Sequence, residues 1–167
     1  NSAQMPYGLE TGSVNCVLQD RQNNLWIGTG SQGVFKLNPS QNRVFFFFYN
    51  DFQSTKLQSS NVNSISEWNP ETLIIGQTNG FSLFHLNTKT FTNYSGDAVN
   101  NGNNFLKGVY SVGFDRKQNL WFGTLGLGIM VWRKGDQFTH NYFHGDFGKI
   151  NYPHVFISQS ITLSDGK

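Results

Sequence analysis

The chain has 167 residues and a formal net charge of +2, and it is 37% hydrophobic but only 13% charged. No basic run offers a face for nucleic acid, and no apolar run approaches the roughly 20 residues that span a bilayer, so we expect contact with neither. Sixteen phenylalanines, together with clusters of Gly, Asn and Ser, favour strands joined by turns.

Four short strands are predicted in the first third of the chain, at about 13–19, 24–29, 33–38 and 43–49. The turn after the first strand is rich in Asp and Asn, and Gly33 suits a tight turn into the third strand. Since no window shows a sustained helical period, an all-β chain is predicted.

This strand pattern repeats along the chain. The segment Leu25–Thr29 recurs as Leu120–Thr124, with a degenerate copy at Leu73–Gln77, so the leading leucines are spaced by 48 and then 47 residues. A valine stands eleven residues before each leucine, at Val14, Val62 and Val109. Four antiparallel strands with a period of about 40 to 50 residues are typical of a β-propeller blade.

The predicted fold is therefore an all-β β-propeller fragment with about three four-stranded antiparallel blades and the first strand of a fourth. The expected boundaries are a lead-in at 1–11, blades at 12–60, 61–108 and 109–154, and a truncated fourth blade at 155–167. Open strand edges predict pairing with further blades of a parent chain or self-association. The single cysteine, Cys16, is interpreted as a small buried residue on a strand.

Three patterns that could indicate a binding or catalytic site are better explained by structure. The glycines of segment 28–33 satisfy a dinucleotide-binding pattern, but a strand follows them where a phosphate-binding helix is required. His140, His144 and His154 lie near Asp146 in predicted strand-end and loop sequence, so helical ligand spacing does not apply. We predict no catalytic residue, no metal and no cofactor. Asp20 and Asp115 recur as turn residues, so they are given a structural role.

The tryptophans divide by their place in the repeat. Trp26 and Trp121 are predicted to lie in the core, and Trp132 between blades. Trp68 falls outside the pattern, and packing under a turn is favoured over stacking on a sugar.

The repeat resembles the two-component regulator propeller family. The matching residues are Gln19-Asp20, Leu25–Thr29, Gly33–Phe35, Asp115, Leu120–Thr124 and Gly128-Ile129. The resemblance extends from Gly12 to Lys167, and the second unit departs from it at Trp68, Ile74 and Gln77. It implies the periplasmic sensor region of a bacterial hybrid two-component histidine kinase, without catalysis of its own, with oligosaccharides as ligands for many members.

Candidate ligand-binding residues are predicted on the propeller end that carries the fourth-to-first and second-to-third connections. Long polar connections at about 50–61, 95–108 and 143–154 suit a functional role. The candidates are Gln32, Asp51, Lys56, Asn79, Asn103, Asn104, Lys107, Tyr152 and His154. Amides, a cation and an aromatic ring suit a neutral or mildly acidic oligosaccharide.

Three functions remain open at this point. The first is a fragment of a periplasmic sensor that binds oligosaccharide and signals by conformational change. The second is a propeller lyase, for which His154 is the one fair catalytic candidate. The third is a protein-interaction propeller, which the scarcity of Arg in the long connections disfavours.

Overall fold

The computed structural model describes residues 13–40, 43–47, 56–95, 108–125, 128–133 and 139–141, which form three four-stranded antiparallel sheets. Sheet 1 contains β1 (Val14–Gln19), β2 (Leu25–Thr29), β3 (Val34–Asn38) and β4 (Arg43–Phe47). Sheet 2 contains β5 (Val62–Asn69), β6 (Thr72–Gln77), β7 (Gly80–His85) and β8 (Thr90–Ser95). Sheet 3 contains β9 (Val109–Phe114), β10 (Leu120–Thr124), β11 (Ile129–Trp132) and β12 (Thr139–Asn141).

Each sheet is an up-and-down meander, with its strands in chain order, so the predicted all-β propeller architecture is confirmed. The sheets fall within the predicted units 12–60, 61–108 and 109–154. The predicted lead-in at 1–11 and the fourth-blade strand at 155–167 lie outside the described residues. Within the ranges given above, no helix is long and apolar enough to cross a membrane.

The first strands of consecutive sheets lie beside one another and are joined by side-chain hydrogen bonds. Asn15 Nδ2 donates to the carbonyl of Val62 at 3.0 Å, and Asn63 Nδ2 donates to the carbonyl of Val109 at 3.1 Å. We call these two contacts the asparagine seams. They place the first strands on the inner side of a radial stack, as in a propeller.

Two hydrophobic clusters fill the space between the sheets. The cluster between sheets 1 and 2 includes Trp26, Val62 and Ile75. The cluster between sheets 2 and 3 includes Ile74 and Phe81. Consecutive β6 side chains point to opposite faces, and Ile74 and Ile75 are both fully buried, so the middle sheet is covered on both faces.

The outward face of sheet 1 is different. Val14 and Val17 are 50% and 60% exposed. The residues at the same repeat positions in sheets 2 and 3 are at most 8% exposed: Val62, Ile65, Val109 and Val112. The inner strand of sheet 1 therefore presents the apolar surface that its counterparts bury against a neighbouring sheet.

Close contact between sheets explains the glycine of the repeated pentapeptide. A Cβ atom on Gly28 would lie 2.5 Å from Cys16 Sγ on the paired strand and 2.6 Å from Val62 Cγ1 on the next sheet. A Cβ atom on Gly76 would lie 2.8 Å from Val109 Cγ1. Each repeat valine thus packs into the space left by the preceding glycine. Cys16 is half-buried on β1, and burial raises the pKa of its thiol to about 11.

An aspartate organises the first hairpin of sheet 1. The Asp20 carboxylate, 4% exposed, accepts hydrogen bonds from Trp26 Nε1 at 2.8 Å, Asn24 Nδ2 at 2.9 Å and the backbone nitrogens of Gln22 and Asn24. Asn23 adopts the left-handed conformation that the turn requires, with a φ of 62°. The predicted turn role of Asp20 is therefore confirmed.

Asp115 repeats this arrangement in sheet 3. Its carboxylate accepts hydrogen bonds from Asn119 Nδ2 at 2.7 Å and Trp121 Nε1 at 3.2 Å, as well as from the backbone nitrogens of Lys117 and Asn119. For both aspartates, desolvation by burial opposes ionisation. Together, however, the hydrogen bonds outweigh it and lower the pKa below the ordinary 3.8.

Acid should weaken the fold through these two carboxylates. Because their folded-state pKa lies below the unfolded value, their ionised forms stabilise the native state fully above the unfolded pKa. That stabilisation is lost as the pH falls through the lowered pKa. We expect the free energy of unfolding, measured by urea denaturation, to decline between about pH 5 and about pH 2. The decline should be smaller in an Asp20→Asn, Asp115→Asn double variant, and an equal decline would contradict the assignment.

The second repeat lacks this aspartate–tryptophan pair. Trp68 occupies the aspartate position and Ile74 the tryptophan position. The prediction that Trp68 packs under a turn is wrong. Trp68 lies half-buried in β5, where its ring forms a T-shaped contact with the ring of Trp132 at a centroid distance of 6.2 Å. The predicted position of Trp132 between blades is confirmed. Trp68 takes this position because the apolar cluster between sheets 2 and 3 provides a surface for its ring.

Gln77 replaces the repeat threonine in the second unit. Thr29 Oγ1 and Thr124 Oγ1 each donate to a glycine carbonyl in the turn that follows them. Gln77 is fully buried and instead reaches the carbonyl of Ser59 with Nε2 at 2.7 Å, while its Oε1 accepts from Ser82 Oγ. The second blade is thus folded with the same strand order but packs with different hydrogen bonds, as the sequence predicts.

The prediction that Trp121 lies in the core is wrong. Trp121 is partly exposed, whereas Trp26 is 1% exposed. Phe84 of the following sheet packs edge-on against Trp26 at 5.7 Å.

Candidate functional site

The fourth-to-first connections and the second-to-third loops meet at one end of the stack. The backbone nitrogen of Gly33 donates to Ser60 at 2.8 Å, which joins a loop of sheet 1 to the connection entering sheet 2. The nitrogen of Gly108 donates likewise to Thr78. These bonds place both kinds of loop at the same end, which we call the loop end.

A polar groove of about 850 Å³ opens at the loop end, where the three inner strands begin. Its described lining residues are Ser13, Val14, Asn15, Gly30, Ser31, Asn61, Asn63 and Tyr110. They offer hydroxyl groups, primary amides and one phenol ring, and none of them carries a charge. The groove therefore suits a neutral, hydroxyl-rich ligand.

The repeat register brings these residues together. Ser13 and Asn61 directly precede the first strands of sheets 1 and 2, whereas Asn15, Asn63 and Tyr110 are each the second residue of a first strand. Since the first strands lie side by side, residues at equal positions line up across the loop end. The groove thus brings amide side chains from sheets 1 and 2 together with one aromatic residue of sheet 3.

The asparagines of the groove are positioned by backbone contacts. Asn15 Nδ2 bonds to the Val62 carbonyl and lies 3.4 Å from Asn61 Oδ1, while Ser13 Oγ donates to Asn15 Oδ1 at 3.3 Å. These contacts fix the orientation of the Asn15 amide, and Asn15 also joins sheet 1 to sheet 2.

The position of Tyr110 depends on a neighbouring glycine. Gly108 has a φ of 66°, and a Cβ atom there would lie 2.9 Å from Leu125 Cβ and 3.2 Å from Tyr110 Cε2. Because the glycine has no side chain, the Tyr110 ring can lie beside the backbone at the groove.

Three of the residues predicted from the sequence are described, and none of them lines the groove. Gln32 lies half-buried in the β2–β3 loop, and its Oε1 is buried without a hydrogen-bond partner among the described residues. The carbonyl of Lys56 accepts a bond from Asn93 Nδ2 at 2.8 Å, and Asn79 is exposed in the β6–β7 turn. The other candidates, Asp51, Asn103, Asn104, Lys107, Tyr152 and His154, lie outside the described residues. Ligand binding by these nine residues stays a prediction.

The sequence did contain a signal for the groove. Polar residues flank the repeat valine on both sides in the first two units, as Ser13 and Asn15 and as Asn61 and Asn63. Reasoning from loop length directed attention to the connections and away from strand beginnings.

A metal site and a pair of catalytic carboxylates have little support in the described ranges. No three His, Cys, Asp or Glu side chains there gather to hold a metal ion. The carboxylates of Asp20 and Asp115 are occupied by hairpin hydrogen bonds. Of the four residues considered as metal ligands, only His140 falls on a described strand, β12.

The comparisons with known proteins agree with this architecture. Residues 8–31 match the family described as two component regulator propeller. This match confirms, over residues 8–31, the resemblance seen in the sequence. No curated protein matches the chain.

Several solved structures share the fold. One, described as the extracellular domain of the hybrid two component system BT3049 from B. thetaiotaomicron, aligns over 86% of this chain with a TM-score of 0.74 and 17% identity. A second, described likewise for BT4673 of the same organism, aligns over 96% with a TM-score of 0.69 and 18% identity. The chain covers 20% and 19% of those chains, so it spans about a fifth of their length.

Proposed function

We propose that this chain is part of an extracytoplasmic, periplasmic ligand-sensing propeller of a two-component system, which binds oligosaccharide and signals by conformational change. The histidine kinase of such a system would lie outside this chain, and the propeller would have no catalytic activity of its own. Support comes from the two-component regulator repeat at 8–31 and from the fold shared with extracellular domains of hybrid two-component systems.

The observation that carries the ligand class is the uncharged polar groove at the loop end. Its described lining provides amides, hydroxyls and a phenol ring without a carboxylate or a cation. A sugar presents hydroxyl groups that both donate and accept, and amide side chains match them in both roles.

A glycan array tests the proposal. The purified chain, labelled at its N-terminus, should be retained by a set of neutral oligosaccharides, and titration calorimetry with the retained glycan should give a one-to-one complex. A protein-interaction propeller would leave the array empty, and a propeller lyase would shorten the bound glycan, which mass spectrometry detects. Either of these results would contradict the proposal.

A further inference from the structure

We infer that the groove at the start of the inner strands is a subsite for one ring of a neutral saccharide. In this subsite Tyr110 offers the apolar face, and the amides of Asn61 and Asn63 bind the ring hydroxyls. This inference rests on the proposed function, because it names the site and the ligand class of the same sensor.

The size and polarity of the groove suit such a ligand. Its volume of about 850 Å³ lies within the range of roughly 300–1,000 Å³ that small-molecule sites occupy. An anionic sugar would lose hydration without gaining a cation among the described lining residues, which is unfavourable. We therefore expect the described lining to favour neutral rings over sulfated and uronic acid units.

The amides retain hydrogen-bonding capacity for a ligand. Each carries two donors and an acceptor oxygen with two lone pairs. In the described part of the chain, Asn63 uses one donor, toward the Val109 carbonyl, and Asn61 accepts one long bond from Asn15. A sugar hydroxyl can thus bind either amide while the asparagine seams stay in place.

The same placement connects binding to the spacing of the sheets. Asn63 lines the groove and also joins sheet 2 to sheet 3, and Asn15 does the same for sheets 1 and 2. A ring that spans Asn61, Asn63 and Tyr110 contacts sheets 2 and 3 together, so it favours the arrangement in which these contacts coexist. Ligand binding should therefore slow amide hydrogen exchange at the beginnings of β5 and β9.

The test compares variants of the residues that line the groove. Using the neutral glycan retained on the array, we expect Tyr110→Ala and Asn61→Ala each to raise the Kd at least about tenfold. Tyr110→Phe keeps the ring and should stay within about threefold. Gln22→Ala, an exposed position in the turn at the opposite end of sheet 1, is the matched control and should leave the Kd unchanged.

The outcomes separate this inference from the proposed function. If the chain binds a glycan and all four variants bind it equally, the subsite is wrong while the sensor function stands. Preferential retention of anionic glycans would also overturn the subsite. An array that retains no glycan would overturn both. If Tyr110→Ala fails to fold, Asn61→Ala and the exchange measurement decide the question.

Discussion

Replacing Gly28 with alanine should lower the free energy of unfolding by about 2–3 kcal/mol, because the added methyl group overpacks the contact between sheets 1 and 2. The methyl would lie 2.6 Å from Val62 Cγ1 and 2.5 Å from Cys16 Sγ. Val62 is fully buried in the cluster between these sheets and has no room to retreat. Urea denaturation of the variant and the parent measures the difference.

Two comparisons make this prediction specific. Gly30→Ala places a methyl near the Ser13 hydroxyl, which can rotate away, so its cost should stay below about 1 kcal/mol. In the Gly28→Ala, Val62→Ala double variant the clash with Val62 is relieved, and the total cost should be smaller than the sum of the single costs by about 1 kcal/mol. Strict additivity would show that the glycine is needed for another reason.

Replacing Asp20 with alanine should cost about 3 kcal/mol, because buried donors are left without an acceptor. The carboxylate receives the indole N–H of Trp26 and the side-chain amide of Asn24, and both donor residues are buried. The loss should appear as a lower urea midpoint with an unchanged slope. Near-ultraviolet circular dichroism should also change, since the Trp26 ring loses its anchor.

Asp115→Ala is the matched control within the same chain. Asp115 makes the same set of contacts, but its bond to Trp121 is longer, 3.2 Å against 2.8 Å, and both residues are partly exposed. Water can replace the lost acceptor there, so a cost of about 1–2 kcal/mol is expected. Equal costs at the two positions would show that burial does not determine the effect.

The repeat made most of the fold predictable. A period of 47 to 48 residues, with the same glycine and valine positions, determines which strands pair, and the described strands agree with the predicted ones to within one or two residues. The turn role of Asp20 followed from its spacing to Leu25. Local sequence could not reveal that Val62 fills the space beside Gly28, because that contact joins residues 34 positions apart.

The site was less predictable for a related reason. Asn15, Asn63 and Tyr110 lie on strands, where alternation alone predicts a structural role, and they form a groove only because three inner strands begin side by side. Trp121 was placed in the core by analogy with Trp26, but burial depends on the neighbouring sheet rather than on the repeat motif. Position in the repeat therefore predicts hydrogen bonds within a hairpin better than it predicts exposure.

The exposed face of sheet 1 has a consequence for cooperativity. Each sheet gains its stability from the sheets on either side, so the folding free energy behaves as a chain of nearest-neighbour terms. Sheet 2 receives two such terms, whereas the inner strand of sheet 1 leaves Val14 and Val17 half or more exposed. Among the described sheets, sheet 2 should therefore be the last to open, because both of its faces are covered.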